Sequence, residues 1–293
     1  MTDNRIIHLG DDSLAIEVWT IGARLNDVVV DGAGGLLARA DTVEQALGAA
    51  KNFGAVVGPV ANRLARAEAP IGGRVFQLEP NENGRTICHS GVKGVNTKIW
   101  TVESESDREL VLGLEIADGQ DGFPGNRKLT ATYRLLDGGF DVDFSATTDT
   151  ATLVNLALHP YWSLGRSGRS GQQLQVNADR YLPVDGDLIP TGEIAAVDGS
   201  IFDLRGNGVP STEIDHNFCL NASDPAAVLT SDNGLILTIT TDAPGLQVFT
   251  GKDFGIAVEP QHWPDAPHHP AFPSILLEPE QTYTQHTRYQ FSR

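Results

Sequence analysis

Strict alternation of apolar and polar residues is the feature that most restricts how this chain can fold. Leu110, Leu112, Leu114 and Ile116 recur with a period of two, as do Leu129, Ala131, Tyr133 and Leu135. The second run passes through Asp137-Gly138-Gly139 into Phe140, Val142 and Phe144, with Asp141, Asp143 and Ser145 in the alternate positions. A period of two puts successive side chains on opposite faces of a strand, and a Gly-rich break tolerates the positive φ of a tight hairpin. Leu235, Leu237 and Ile239 repeat the pattern after Asp232-Asn233-Gly234. The 31 glycines and 16 prolines are spread along the chain, which favours many turns and short strands. Helical periodicity is rare. Thr42 to Ala50 is the best short candidate, with Thr42 or Asp41 as N-cap and Glu44 in the first turn. The pattern predicts a mainly β, antiparallel protein with long connections and few short helices. No linker, low-complexity tract or repeat divides it, so a single domain over residues 1–293 is expected.

Charge narrows the partners. The formal net charge is −17, which repels nucleic acid and anionic membrane surfaces and disfavours a strongly anionic substrate unless a local basic pocket overrides it. No apolar run reaches the length of a membrane span, and the N-terminus leads into nothing resembling a signal peptide, so a cytoplasmic protein is expected. Cys88 and Cys219 do not make a disulfide framework, and they read as small buried hydrophobes. The oligomeric state is not legible.

Several motifs fail on inspection. Gly245-Leu246-Gln247-Val248-Phe249-Thr250-Gly251-Lys252 resembles a phosphate loop, but its glycine spacing is wrong and Asp253 stands where a metal-binding hydroxyl is required. Its alternation fits a strand instead, with Gln247 and Phe249 sharing a face. Cys88-His89 and His216 with Cys219 lack the short, regular spacing of zinc ligands, so no metal is expected.

What remains is a set of polar residues in aromatic surroundings. Glu259 follows the apolar run Gly255-Ile256-Ala257-Val258 and precedes Pro260-Gln261-His262-Trp263-Pro264-Asp265. Two readings stand level: a carboxyl where a buried strand emerges into a pocket, raised by desolvation toward the range of a general base, or a strand-end glutamate held by nearby backbone N–H groups. His89 lies in a Gly-punctuated loop, His159 follows an apolar strand and precedes Pro160-Tyr161-Trp162, and His216 sits in Asp215-His216-Asn217-Phe218. Taken singly, each is more often a surface or hydrogen-bonded core histidine than a catalyst. Asn62-Arg63 adds a basic element.

These segments resemble, in order, those of the aldose 1-epimerases, also called galactose mutarotases. The resemblance is carried by Gly58 to Arg63, the loop at His89, Asp121-Gly122-Phe123-Pro124-Gly125, and Asn155 to Leu164. It continues through Phe202-Asp203-Leu204-Arg205 with Asp215-His216-Asn217-Phe218, and ends on Glu259-x-Gln261-x-x-Pro264-Asp265-Ala266-Pro267. It runs from about residue 54 to the C-terminus. There are departures: Gly58-Pro59-Val60-Ala61 replaces the commoner Gly-Arg-Tyr-Ala, His89-Ser90-Gly91 replaces His-Gly-Gly, and Pro160 stands where Ser is more usual. They flank the presumed catalytic positions and bear on sugar preference more than on chemistry.

The resemblance implies a large antiparallel β-sandwich, the galactose mutarotase-like supersandwich, with an open cleft for a monosaccharide. It implies interconversion of α and β anomers of free aldoses without a cofactor or metal. Glu259 would be the base on the C1 hydroxyl and His159 the acid at the ring oxygen, kept protonated by a neighbouring carboxylate. His89 would be a second histidine near the ring oxygen. Asn62, Arg63, Asp215 and Gln247 would hold sugar hydroxyls. Trp162, Phe249 or Trp263 would supply a stacking face if they are not core. His216 and Asp265 read as scaffold. The competing readings are a hexose-phosphate mutarotase, a non-catalytic sugar-binding protein, and a glycoside hydrolase built on Asp215 and Glu259.

Overall fold

The computed structural model describes residues 3–11, 13–31, 34–165, 168–206, 208–210 and 213–293. Its architecture is antiparallel β throughout the large sheets. An eight-stranded sheet runs, edge to edge, through Gln172–Val176, Ala227–Ser231, Ile236–Thr241, Tyr283–Ser292, Gly139–Thr148, Arg127–Leu136, Glu109–Ile116 and Thr101–Glu105. The predicted hairpin is at its heart. Leu136 pairs with Gly139, so the loop is Asp137-Gly138, and Gly138 takes a φ of 72°. Leu129, Ala131, Tyr133, Phe140, Val142 and Phe144 are all buried, as the alternation requires.

A six-stranded sheet faces this one, in the order Tyr161–Trp162, Ile256–Gln261, Gly245–Phe249, Asp215–Cys219, Arg180–Tyr181 and Ala195–Ala196. Its inner face contributes Phe218, Leu246, Val248, Ile256, Val258 and Trp162 to a core shared with the eight-stranded sheet. Ile6–Gly10, Leu14–Trp19 and Arg24–Val30 form a three-stranded sheet whose apolar residues join the same core. A smaller cluster packs Phe123, Leu78, Ile87, Phe272 and Ile275 beneath the loops.

The short helix forms, but only over Val43–Leu47, because Gly48 ends it. Thr42 is its N-cap, its side chain accepting from the Gln45 N–H. Beyond it the fully buried Arg24 donates to the carbonyls of Ala46, Ala50, Lys51 and Phe53, which fixes this segment against the core. Among the described residues no helix is long and apolar enough to cross a membrane.

Candidate active site

The six-stranded sheet has two chemically different faces. Directly opposed residues of an antiparallel pair share a face. Asn217 opposes Gln247, Gln247 opposes Glu259, Asp215 opposes Phe249, and Tyr161 opposes Ala257. The face turned from the core therefore carries Asp215, Asn217, Gln247, Phe249, Glu259 and Tyr161. Gln247 and Phe249 share that face, as expected from the strand pattern. Glu259, however, lies within the strand Ile256–Gln261 rather than at its end, because pairing continues through Pro260 to Gln261 opposite Gly245.

Loops from earlier in the chain build walls on this floor. Arg63–Leu64 pairs with Ile87–Cys88, which brings Asn62-Arg63 beside His89. Ala157–Leu158 pairs with Val56–Val57, then the chain crosses to Tyr161–Trp162 on the sheet edge, and His159 lies in that crossing. Asn155 holds the pieces together. Its backbone bonds Pro59 and Ala61, while its side chain bonds both backbone groups of His262. The result is a cleft of about 260 Å³ lined by every residue expected from sequence: Asn62, Arg63, His89, His159, Asp215, Gln247 and Glu259. That is close to the lower end of the roughly 300–1,000 Å³ usual for small-molecule sites, and it suits a small ligand.

At the bottom, His159 Nε2 lies 3.3 Å from Glu259 Oε1. His159 is 5% exposed and Glu259 1%. His159 Nδ1 and Glu259 Oε2 have no protein partner. Burial pushes the imidazole down to about 4, with Arg24 adding to the effect. Burial also pushes the Glu259 carboxyl well above its ordinary range, Asp215 adding to this and Arg63 opposing it. Mutual attraction of the charged forms works against both shifts, but burial is the largest cause of each, so both groups are biased toward their neutral forms. The carboxylate expected beside His159 is in place, and burial opposes the imidazolium it would favour.

His89 is fixed differently. Its Nδ1 accepts from the Asn62 N–H at 3.1 Å, and its own N–H donates to the Asn62 carbonyl. Burial, then the charges of His159, Arg63 and Lys51, hold it well below its usual range. The ring is thus neutral with its hydrogen on Nε2, a donor rather than an acid. Ser90, in the departed histidine loop, fits because its hydroxyl accepts from the Val60 N–H at 3.0 Å.

The hydroxyl-binding candidates form a chain. Gln247 Nε2 donates to Asp215 Oδ1 at 2.7 Å, and Arg63 Nη1 lies 3.6 Å from Asp215 Oδ2. Behind Arg63 stands Glu82, which accepts from Nε at 2.8 Å and from Nη2 at 3.4 Å. The sequence reading missed Glu82, as it missed Lys51, Asn52, Asn81 and Asn96, which also line the cleft. A carboxylate 19 residues from its arginine leaves no periodic signal; only the strand pairing of Arg63 with Cys88 brings the two together.

Of the stacking candidates, only Phe249 lines the cleft, joined by Tyr161. Trp162 is wholly buried against Tyr289 and Phe291, and Trp263 packs edge-on to Phe272. His216 points to the other side of its strand, against Phe202 and Tyr181. Asp265 accepts from the Ala65 N–H and His268. Asp121 and Arg127 form a fully buried bidentate pair that ties the Asp-Gly-Phe-Pro-Gly loop. Cys88 and Cys219 are free and buried. Among the described residues no group of three or more His, Cys, Asp or Glu is placed to hold a metal.

Comparison with known proteins agrees with this geometry. The family model described as Aldose 1-epimerase matches residues 5–290. Galactose mutarotase of Bos taurus is 36% identical over 98% of this chain and 90% of its own length. Aldose 1-epimerase of Escherichia coli K12 is 32% identical over 82% of this chain and 80% of its own. Among solved structures, the GalM/aldose epimerase homologue of C. elegans superimposes with a TM-score of 0.92 at 26% identity, covering 99% of each chain. Galactose 1-epimerase of Lactobacillus acidophilus NCFM gives a TM-score of 0.89 at 28% identity, covering 99% of this chain and 95% of its own. The chain belongs to the aldose 1-epimerase family.

Proposed function

We propose that this chain, folded as one domain over residues 1–293 and working in the cytoplasm, interconverts the α and β anomers of a free aldose. The observation that carries the reading is the buried His159–Glu259 pair, 3.3 Å apart at the foot of a cleft lined with hydroxyl-binding groups. Opening a hemiacetal ring requires removal of the C1 hydroxyl proton and delivery of a proton to the ring oxygen. A pair with one proton supplies one acid and one base at once, and the opposite assignment on reclosure.

Glu259 takes the C1 proton and His159 serves the ring oxygen. Those roles need the shared proton on His159 once sugar is bound. A C1 hydroxyl donating to Glu259 and a ring oxygen accepting from His159 favour the charged forms by hydrogen bonding. His89, neutral with Nε2–H, steadies the ring oxygen, while Asn62, Arg63, Asp215 and Gln247 hold the other hydroxyls. Tyr161 and Phe249 offer the apolar face.

Polarimetry on freshly dissolved α-glucose or α-galactose tests this. The wild-type chain accelerates the approach to equilibrium rotation, and Glu259→Gln and His159→Asn each lower the rate by about 10²–10⁴, the usual worth of a positioned acid or base. Near-wild-type rates in either variant would reject the assignment. A neutral sugar is favoured over a phosphorylated one: Arg63 is already hydrogen-bonded to Glu82, which leaves Lys51, among the described residues, as the other cation lining the cleft, and the net charge of −17 does not help an anion.

A further inference from the structure

We infer that Glu82 is a positioning residue, which keeps Arg63 and Asp215 from closing into a bidentate hydrogen-bonded pair and so keeps both available to sugar hydroxyls. The inference rests on the sugar-binding reading above and adds to it a residue outside the expected set.

A guanidinium and a carboxylate facing each other across a cleft close into a bidentate pair unless something competes, because two parallel N–H···O bonds are the strongest arrangement open to them. In this cleft that has not happened. Arg63 Nη1 stands 3.6 Å from Asp215 Oδ2, beyond hydrogen-bond length, although the Arg63 side chain is only 13% exposed and Asp215 21%. The competitor is Glu82. It engages the side edge of the guanidinium through Nε at 2.8 Å and Nη2 at 3.4 Å. Those bonds consume the donors pointing away from the floor and leave Nη1 toward the cleft. Asp215 is held from its other side by Gln247 at 2.7 Å, so both members of the Arg63–Asp215 pair have a retaining partner.

Glu82 is itself set in a braced loop. Its N–H and that of Asn81 both donate to the Thr86 carbonyl, and its own carbonyl accepts from the N–H groups of Arg85 and Thr86. The Asn81 side chain bonds both the N–H and the carbonyl of Cys88, the residue opposite Arg63 in the strand pair. The loop is therefore registered to the strand that carries its target. Without Glu82, Arg63 swings onto Asp215, and two hydroxyl anchors become one closed ion pair.

A double-mutant cycle on sugar affinity separates this role from direct contact. With galactose and glucose, we expect Glu82→Ala to raise both KM and the dissociation constant about tenfold while kcat stays within about twofold, the pattern of lost uniform binding. Glu82→Gln, which keeps one acceptor for the Nε–H, falls between wild type and Glu82→Ala. In an Arg63→Lys background, where no fork exists to be held, Glu82→Ala adds less than about twofold. An equal penalty in both backgrounds, or none in either, would overturn the inference. If Glu82→Ala does not fold, the same cycle with Glu82→Gln decides it. A wild-type chain that binds sugar without accelerating mutarotation rejects the proposed reaction, and the binding cycle still decides the role of Glu82. A chain that neither binds nor accelerates rejects both.

Discussion

If His159 and Glu259 are the acid and base proposed above, the burial of the pair also sets the pH range over which the reaction runs. Below about 4 the imidazole takes a second proton and the pair has no base. At alkaline pH the carboxyl, raised by burial, loses its proton and the pair has no acid. We expect kcat/KM to follow a bell whose acid limb falls near pH 4, well below an ordinary histidine, and whose upper limb lies above the ordinary carboxyl range. An acid limb centred on 6.5 would mean that desolvation does not govern His159. His89 belongs to a different class at this scale. Its Nδ1 is occupied by the Asn62 N–H, so His89→Asn should lower the rate without moving either limb of the profile. The sequence disclosed these residues unequally. Glu259 and His159 stood at the ends of apolar runs, where a polar side chain draws notice. The resting protonation state was hidden, because it depends on how completely the Tyr161, Phe53 and Phe254 rings and the sheet exclude water around the pair. Glu82 was hidden for the reason that makes it effective: its partner is distant in sequence.

At the scale of elements, alternation carried the large sheets. The Asp137-Gly138 hairpin and the strands around it obey the period of two almost without exception, since each has one face on the core. The walls of the cleft were less legible. Arg63–Leu64, Ile87–Cys88 and Ala157–Leu158 are two-residue strands, too short for any period. They are placed instead by side chains acting as braces, and Asp265 is the clearest of these. It is 2% exposed, accepts from the Ala65 N–H at 2.9 Å and His268 Nδ1 at 2.6 Å, and has His269 Nε2 at 3.2 Å. Its own N–H donates to the Arg63 carbonyl, so the Pro264-Asp265-Ala266 loop holds the strand that presents Arg63. Truncation leaves a buried backbone N–H and the His268 imidazole without an acceptor, at a cost of about 2–4 kcal/mol. Asp265→Ala should therefore unfold at markedly lower urea and bind sugar more weakly. Asp265→Asn, which keeps an acceptor and tolerates the positive φ of 57°, should lose less. Equal stability of Asp265→Ala and wild type, within about 0.5 kcal/mol, would show the brace to be idle.

For the whole molecule, the same buried groups fix how stability depends on pH. Unfolded, Glu259 and His159 titrate at their ordinary values of 4.5 and 6.5. Glu259, raised in the fold, contributes stability that is complete below 4.5 and is lost as pH rises toward its folded value. His159, lowered in the fold, contributes stability that is complete above 6.5 and is lost as pH falls to about 4. Between 4.5 and 6.5 the two trends oppose, since the folded and unfolded pairs each carry one proton. Above 6.5 the histidine contribution is already complete and only the Glu259 loss continues. Below 6.5, His89, His216 and His262, all lowered by burial, add losses on the acid side. The buried thiols Cys88 and Cys219, raised from 9.0 to about 12, act only at higher pH. Stability should therefore fall on the acid side through the histidines and on the alkaline side through Glu259, by at most about 1.4 kcal/mol per pH unit for one proton. Glu259→Gln removes that proton and with it the alkaline slope, while the histidine losses on the acid side persist. Urea unfolding of both proteins from pH 5 to 8.5 makes the comparison. Wild-type stability that climbs steadily through pH 8.5, or an alkaline decline that survives in Glu259→Gln, would show that the carboxyl does not hold the proton that the site requires.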